Sequence, residues 1–141
     1  MAKQFTLGKN ERLKSRKLIE QLFKEGKIFT IFPFRVYYIY KPSDKSISNR
    51  NLFTLQFGAG VGTKNFKKAV DRNHIKRITK ETWRLQKNKL QEKLKEKNGC
   101  FTIFFIYTAK ELPDYEPVYN KVNLILNKLI KVIDENNTQG S

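Results

Sequence analysis

The sequence predicts an α+β domain in which a mixed sheet packs against helices as an α/β sandwich. Two observations predict this class. Segments with a helical period alternate with short runs of aromatic and β-branched residues, in the order helix, strands, helix, strand, helix. The chain has 141 residues, which suits one domain with one core. We expect this domain to span residues 1–135 and residues 136–141 to form a frayed tail.

The first and last predicted helices are amphipathic. The first follows Ser15, a capping residue, can end at Gly26, and carries the apolar residues Leu18, Ile19, Leu22 and Phe23. Pro113 and Pro117 bracket the start of the last helix. Its apolar stripe consists of Val118, Val122, Ile125, Leu126, Leu129, Ile130 and Ile133. Both helices should pack on the sheet.

Three segments have strand composition. Residues 34–40 are aromatic and β-branched, and residues 52–57 alternate between two faces. The glycine-rich residues 58–62 continue or end the second of these strands, and residues 41–51 between the two strands have the composition of a loop. Residues 101–107 are almost uniformly apolar, as expected for a central strand covered on both faces.

The middle helix, predicted within the basic segment 67–84, carries a row of cations. At about 100° per residue, these cations lie on one side of the helix. Asn73 and Arg77 lie beside the row. The row itself consists of Arg72, Lys76, Lys80, Arg84 and Lys87. The opposite sector is formed by Ile75, Ile78, Thr82 and Leu85. This helix can dock by one face and present a cationic row roughly 18 Å long.

The overall charge favours a polyanionic partner. The chain has 29 Lys+Arg against 13 Asp+Glu, which gives a formal net charge of +16. Nucleic acid is the first interpretation, and a merely solvated basic surface is the alternative. We expect no membrane partner, because the apolar stripe of the basic helix is narrow and no apolar run reaches the roughly 18 residues of a spanning helix. The start lacks the apolar stretch of a secretory signal, so we expect a cytoplasmic protein.

The sequence predicts no catalytic residue and no metal site on this chain. A protein ribonuclease needs a general acid and base or a cluster of carboxylates for metal. His74 is the single histidine, and we interpret it as a structural or RNA-contacting residue. The acidic residues are scattered among cations. Residues 58–62 match neither a Walker loop nor a dinucleotide fingerprint, and the single Cys100 cannot form an intrachain disulfide.

The segment Arg72-Asn73-His74-Ile75-Lys76-Arg77 resembles the signature of the bacterial ribonuclease P protein component. That signature is Arg-Asn-Arg followed by a hydrophobic residue, Lys and Arg. Residues 64–70, Lys80-Glu81, the N-terminal Arg12-Leu13 with residues 22–27, and residues 34–37 also resemble the family's pattern. The likeness extends from about Phe5 to the last helix.

This resemblance implies a protein subunit that binds the catalytic RNA of ribonuclease P and promotes removal of the 5′ leader from precursor tRNA. The RNA would perform the cleavage. No cofactor is expected on this chain, and Mg²⁺ would act in the holoenzyme mainly through the RNA. The implied fold has a mixed four-stranded sheet, three main helices and a left-handed βαβ crossover, similar to ribosomal protein S5 domain 2. No stable protein partner is predicted.

The resemblance also implies two binding surfaces. The catalytic RNA would contact Arg72, Asn73, His74, Lys76, Arg77, Lys80, Arg84, Lys64, Lys67 and Lys68. A cleft between the first helix and the sheet would hold the single-stranded leader through Ile19, Phe23, Arg35 and Tyr37. Arg35 and Tyr37 share a strand face, so a cation and an aromatic ring can face one groove. The alternative is that Ile19 and Phe23 only join the core.

Three positions depart from the family pattern. His74 replaces the second arginine of the motif and cannot make a bidentate guanidinium contact with phosphate. Thr63 stands where lysine is often found, and Ile19 where an aromatic residue is frequent. Two other functions are considered: a ribosomal-type RNA-binding or assembly protein, and a small basic DNA-binding protein. The sequence contains neither helix-turn-helix spacing nor zinc-finger cysteines, and the ordered motif at residues 72–77 argues against generic RNA binding.

Overall fold

The computed structural model describes residues 16–41, 54–97 and 99–139, which form four helices and four strands. The elements are α1 (Arg16–Glu25), β1 (Lys27–Ile31), β2 (Phe34–Lys41), β3 (Thr54–Val61), α2 (Ala69–Gln86), α3 (Asn88–Lys97), β4 (Cys100–Tyr107) and α4 (Tyr115–Gln139). Lys41, the first residue of the loop predicted at 41–51, belongs to β2. The predicted cap Ser15, the rest of that loop and the first residues of the strand predicted at 52–57 lie outside the described residues. Helix α4 reaches into the segment predicted to be a tail.

The strands form one mixed sheet in the order β1-β2-β4-β3. Strands β1 and β2 are antiparallel and joined by a turn at Phe32–Pro33, β2 and β4 are antiparallel, and β3 and β4 are parallel. The predicted α+β class with a mixed four-stranded sheet is therefore confirmed. Strand β1 was not identified as an element from composition, since it has only five residues. The left-handed crossover between β3 and β4 stays a prediction from the family resemblance.

One face of the sheet carries the core, under α2 and α4. Trp83 of α2 stacks on Phe57 of β3 with 4.2 Å between ring centroids, and its edge meets Phe105 of β4 at 5.6 Å. The predicted stripe of α4 is confirmed, because all of its residues are buried except the half-buried Ile130. Strand β4 is central as predicted, but only alternate residues are fully buried. Its second face is only partly covered.

The opposite face of the sheet carries α1. Its end at Gly26 is confirmed: the Gly26 amide donates to the carbonyl of Leu22 at 2.8 Å. A Cβ at this position would collide with that same carbonyl oxygen, so the close approach of the chain requires glycine. Leu22 is the fully buried residue of α1, whereas Phe23 remains 43% exposed.

The basic helix predicted within residues 67–84 is α2, and a separate helix, α3, follows it directly. Helix α2 ends at Gln86, Lys87 forms its C-cap with φ −69° and ψ −14°, and α3 follows at Asn88. Four helices are therefore present among the described residues, where three main helices were predicted. Leu90 and Leu94 of α3 are fully buried, so this second helix adds its own apolar residues to the core.

Candidate nucleic-acid interface

The outer face of α2 presents most of the predicted motif to solvent. Asn73, His74, Arg77 and Lys80 are exposed, and Lys76 and Arg84 are half-buried. The inner face is anchored by Ile75, Thr79, Thr82 and Trp83, all buried. Of these anchors, Thr79 and Trp83 were not assigned to the apolar sector from helical spacing. The hydroxyls of Thr79 and Thr82 donate to backbone carbonyls one turn earlier, at 2.8 and 3.0 Å.

Lys87 does not belong to the cationic row, so its predicted position there was wrong. Its side chain is 1% exposed, whereas the row requires solvent contact. The prediction extended one helix past residue 86, but α2 ends at Gln86 with Lys87 as its C-cap, so the period of about 100° per residue does not continue to Lys87. On α2 the row ends at Arg84, whose Nη2 lies 3.5 Å from the Glu81 carboxylate.

Arg72 supports the loop before α2 as well as contributing charge. Its Nη1 donates to the carbonyls of Phe66 and Lys67, both at 2.8 Å. The side chain is half-buried. Arg72 therefore fixes the path of residues 66 and 67 as they enter the helix. A guanidinium can hold two carbonyls at once in this way, and an ammonium group holds them less rigidly.

The loop at residues 62–68 carries three exposed lysines, Lys64, Lys67 and Lys68. It is attached to the sheet at two further points. Phe66 is buried, and its ring centroid lies 6.1 Å from that of Tyr107. The side-chain amide of Asn65 donates to the backbone carbonyl of Thr108 at 3.3 Å. The lysines thus extend from a loop whose backbone is held in place beside the start of α2.

We expect Arg72→Lys to keep the positive charge at this position but not the order of the loop 62–68. Arg72→Ala should weaken RNA assembly and speed amide hydrogen exchange over residues 62–68, because a charge-assisted grip on two carbonyls is lost, worth about 1.5–3 kcal/mol. Arg72→Lys should exchange almost as fast. Arg77→Ala is the matched control, since Arg77 is exposed on the same helix. It should weaken RNA binding with unchanged exchange. Slow exchange in Arg72→Ala would contradict the supporting role.

The second predicted surface lies on the other face of the sheet, beside α1. Phe23 meets the Tyr37 ring at 4.7 Å and the Phe104 ring at 5.6 Å. Ile19, one turn before Phe23, is half-buried, and Arg35 is exposed on the same strand face as Tyr37. Phe23 and Tyr37 are thus in contact, with Ile19 one turn away on α1 and Arg35 two residues away on β2, and we call the surface between α1 and these strands the groove. The alternative that Phe23 only joins the core does not agree with its 43% exposure.

Phe104 belongs to this groove and was missed from the sequence. Strand alternation separates Phe104 from the buried residues Ile103 and Phe105, but only the pairing of Tyr37 with Phe104 shows that the two rings share a face. Gly60 of β3 leaves room for this ring. A Cβ on Gly60 would lie 3.0 Å from two carbons of the Phe104 ring, so a side chain there would require the ring to shift.

The described residues contain no group of three His, Cys, Asp or Glu side chains suited to holding a metal ion. None of the described helices combines the length and apolar character that a bilayer-spanning segment needs. The two surfaces are thus built from cations, amides and aromatic rings. These groups bind phosphates and bases by charge, hydrogen bonding and stacking.

Known proteins are similar to this chain in both sequence and fold. The Ribonuclease P family profile matches residues 7–130. The ribonuclease P protein component of Porphyromonas gingivalis is 37% identical over 114 residues, which cover 81% of this chain and 79% of that protein. The RNase P protein from Thermotoga maritima superposes with a TM-score of 0.62 at 27% identity, over 84% of this chain and 96% of that one. A Staphylococcus aureus RNase P protein, at 22% identity and a TM-score of 0.57, shares the fold. The chain therefore belongs to the ribonuclease P protein component family.

Proposed function

We propose that this chain is the protein subunit of ribonuclease P and promotes removal of the 5′ leader from precursor tRNA. The family membership carries the proposal, and it disfavours the ribosomal-type and DNA-binding alternatives. The net charge of +16 agrees with a polyanionic partner. The protein would work in the cytoplasm, where its RNA partners are made.

The proposal divides binding between the two surfaces. The exposed face of α2 and the lysines of residues 62–68 bind phosphates of the catalytic RNA, and this supplies most of the affinity. The groove of Phe23, Tyr37 and Phe104 holds the single-stranded leader, because unstacked bases can stack on half-exposed rings and Arg35 can reach the backbone. Precursor tRNA differs from mature tRNA by this leader. The groove therefore gives the holoenzyme a preference for its substrate over its product.

Cleavage itself is assigned to the RNA subunit. His74 is exposed on α2, and the described residues hold no group of three His, Cys, Asp or Glu side chains suited to a metal ion. Its imidazole can donate a hydrogen bond or stack on a base. In the holoenzyme, Mg²⁺ would be held mainly by RNA phosphates, and the role of this chain is to bring substrate and RNA together.

The test is 5′-leader cleavage by a cognate ribonuclease P RNA at low Mg²⁺, with and without this chain. We expect strong stimulation by the chain and no cleavage by the chain alone. Two substrates that differ only in leader length separate the surfaces, since stimulation should fall when the leader is removed down to one nucleotide. Absence of stimulation, in a preparation that binds the RNA, would overturn the proposal in favour of a ribosomal-type RNA-binding protein.

A further inference from the structure

Three segments meet at one edge of the sheet. Tyr107, the last residue of β4, pairs with Phe34 at the start of β2 and with Val61 at the end of β3. The β1–β2 turn, the basic loop 62–68 and the connection 108–114 therefore all leave the sheet at the same edge. Helix α2, which starts at Ala69, follows directly from the basic loop.

Hydrogen bonds hold these segments together. The amide and hydroxyl of Thr108 both donate to the Pro33 carbonyl, at 2.8 and 3.0 Å, and the Thr108 carbonyl accepts from Asn65. The Tyr107 hydroxyl donates to the Glu111 carbonyl at 2.7 Å. Burial, followed by the Glu111 carboxylate, raises the pKa of Tyr107, so the hydroxyl remains a donor at neutral pH. The turn and the connection are thus preorganised next to the basic loop.

A cavity of about 700 Å³ opens between the β1–β2 turn, the connection 108–114 and the first turns of α4. We call it the edge pocket. Its volume falls within the roughly 300–1,000 Å³ of small-ligand sites. Its apolar wall consists of Phe32, Pro33, Leu112, Pro113, Pro117 and Val118. Phe32 is 66% exposed and Leu112 is 51% exposed, so large apolar surface faces solvent at its rim.

The lining of the pocket and the neighbouring loop differ in net charge. Its charged lining residues are Lys110 and Lys121 against Glu111 and Asp114, so the lining itself has no net charge. The neighbouring loop 62–68 has three exposed lysines and no acidic residue. A lining without net charge gives a phosphate little attraction, whereas the three lysines of the loop attract it. An uncharged aromatic group attached to a phosphate chain matches both parts.

We propose that the edge pocket receives an unstacked nucleobase of the catalytic RNA, whose phosphates run along the loop 62–68. The base would stack on the exposed Phe32 ring and bury Leu112, as single-stranded bases do on aromatic side chains. The inference rests on the proposed function, because the same RNA contacts the basic loop. The edge pocket is a separate site from the groove beside α1, with which it shares no lining residue.

The first test is the affinity of variants for ribonuclease P RNA. Phe32→Ala should weaken binding roughly 5- to 150-fold, the range for loss of one base–aromatic stack. Phe32→Tyr keeps the ring and should stay within about twofold of the parent, and so should Leu124→Ala, a surface change at a residue 50% exposed on α4 outside the pocket. Unchanged affinity in Phe32→Ala, with Arg77→Ala still impaired, would overturn the inference and leave the proposed function standing. Failure of the parent chain to bind the RNA would overturn both.

The second test uses a photocrosslinker and does not depend on the stability of a variant. Cys100 is half-buried and could itself take up the label, so it is replaced by Cys100→Ser. The label is attached to Leu112→Cys in this background, and Leu124→Cys is the matched control. A benzophenone at residue 112 in the assembled complex should crosslink to an unpaired nucleotide of the catalytic RNA. A label at residue 124 should give no such adduct. If the label at residue 112 formed no adduct with the RNA, the inference would be contradicted. Crosslinking to protein instead would indicate a protein-docking surface.

Discussion

Trp83→Ala is expected to lower the free energy of unfolding by about 3–5 kcal/mol, the range for truncating a large buried aromatic side chain. Trp83 has no exposed surface, stacks on Phe57 and meets Phe105 edge-on. These contacts join α2 to both parallel strands. Its indole nitrogen donates no hydrogen bond to another described residue, so the expected loss is argued from packing. Urea unfolding followed by circular dichroism measures the change.

Leu85→Ala is the matched control for Trp83. Leu85 lies two residues later on the same helix and is 38% exposed, so its truncation should cost less than about 1 kcal/mol. Below its unfolding transition, Trp83→Ala should still bind RNA, because the exposed cations of α2 are unchanged. A cost near that of Leu85→Ala would show that Trp83 does not hold α2 on the sheet.

Phe23→Ala is expected to weaken the holoenzyme's binding of precursor tRNA roughly 5- to 150-fold and to leave mature tRNA binding unchanged. Phe23 is the ring of the groove with the most contacts, because it meets both Tyr37 and Phe104 while remaining 43% exposed. Its removal takes away a stacking surface and leaves the two strand rings unsupported. The measurement is the affinity of the assembled complex for tRNAs with and without a leader.

Phe23→Tyr is the control for this groove, since it keeps the ring and should preserve the preference for leader-bearing tRNA. Assembly with the catalytic RNA should be the same in both variants, because α2 lies on the opposite face of the sheet. Equal losses for precursor and mature tRNA in Phe23→Ala would contradict a leader site at α1. They would instead assign Phe23 to the stability of the fold.

The amphipathic patterns of the sequence predicted much of this protein, because they are local. The apolar stripe of α4, the end of α1 at Gly26 and the exposed motif of α2 follow from helical spacing and turn chemistry within one segment. The α+β class follows from the order of such segments. The family resemblance, carried by residues 72–77, indicated ribonuclease P, and the family match confirms it.

Tertiary structure decided which of these segments share a surface. Helical spacing placed Lys87 among the exposed cations, but α2 ends before Lys87 and the Lys87 side chain is buried, so the period holds only within one continuous helix. Strand alternation divides each strand into two faces without stating which faces meet. Only the pairing of β2 with β4 brings Tyr37 and Phe104 beside Phe23, and only the shared edge of three strands forms the edge pocket. These contacts join residues far apart in the chain, and their geometry is set by packing and strand register rather than by local propensity.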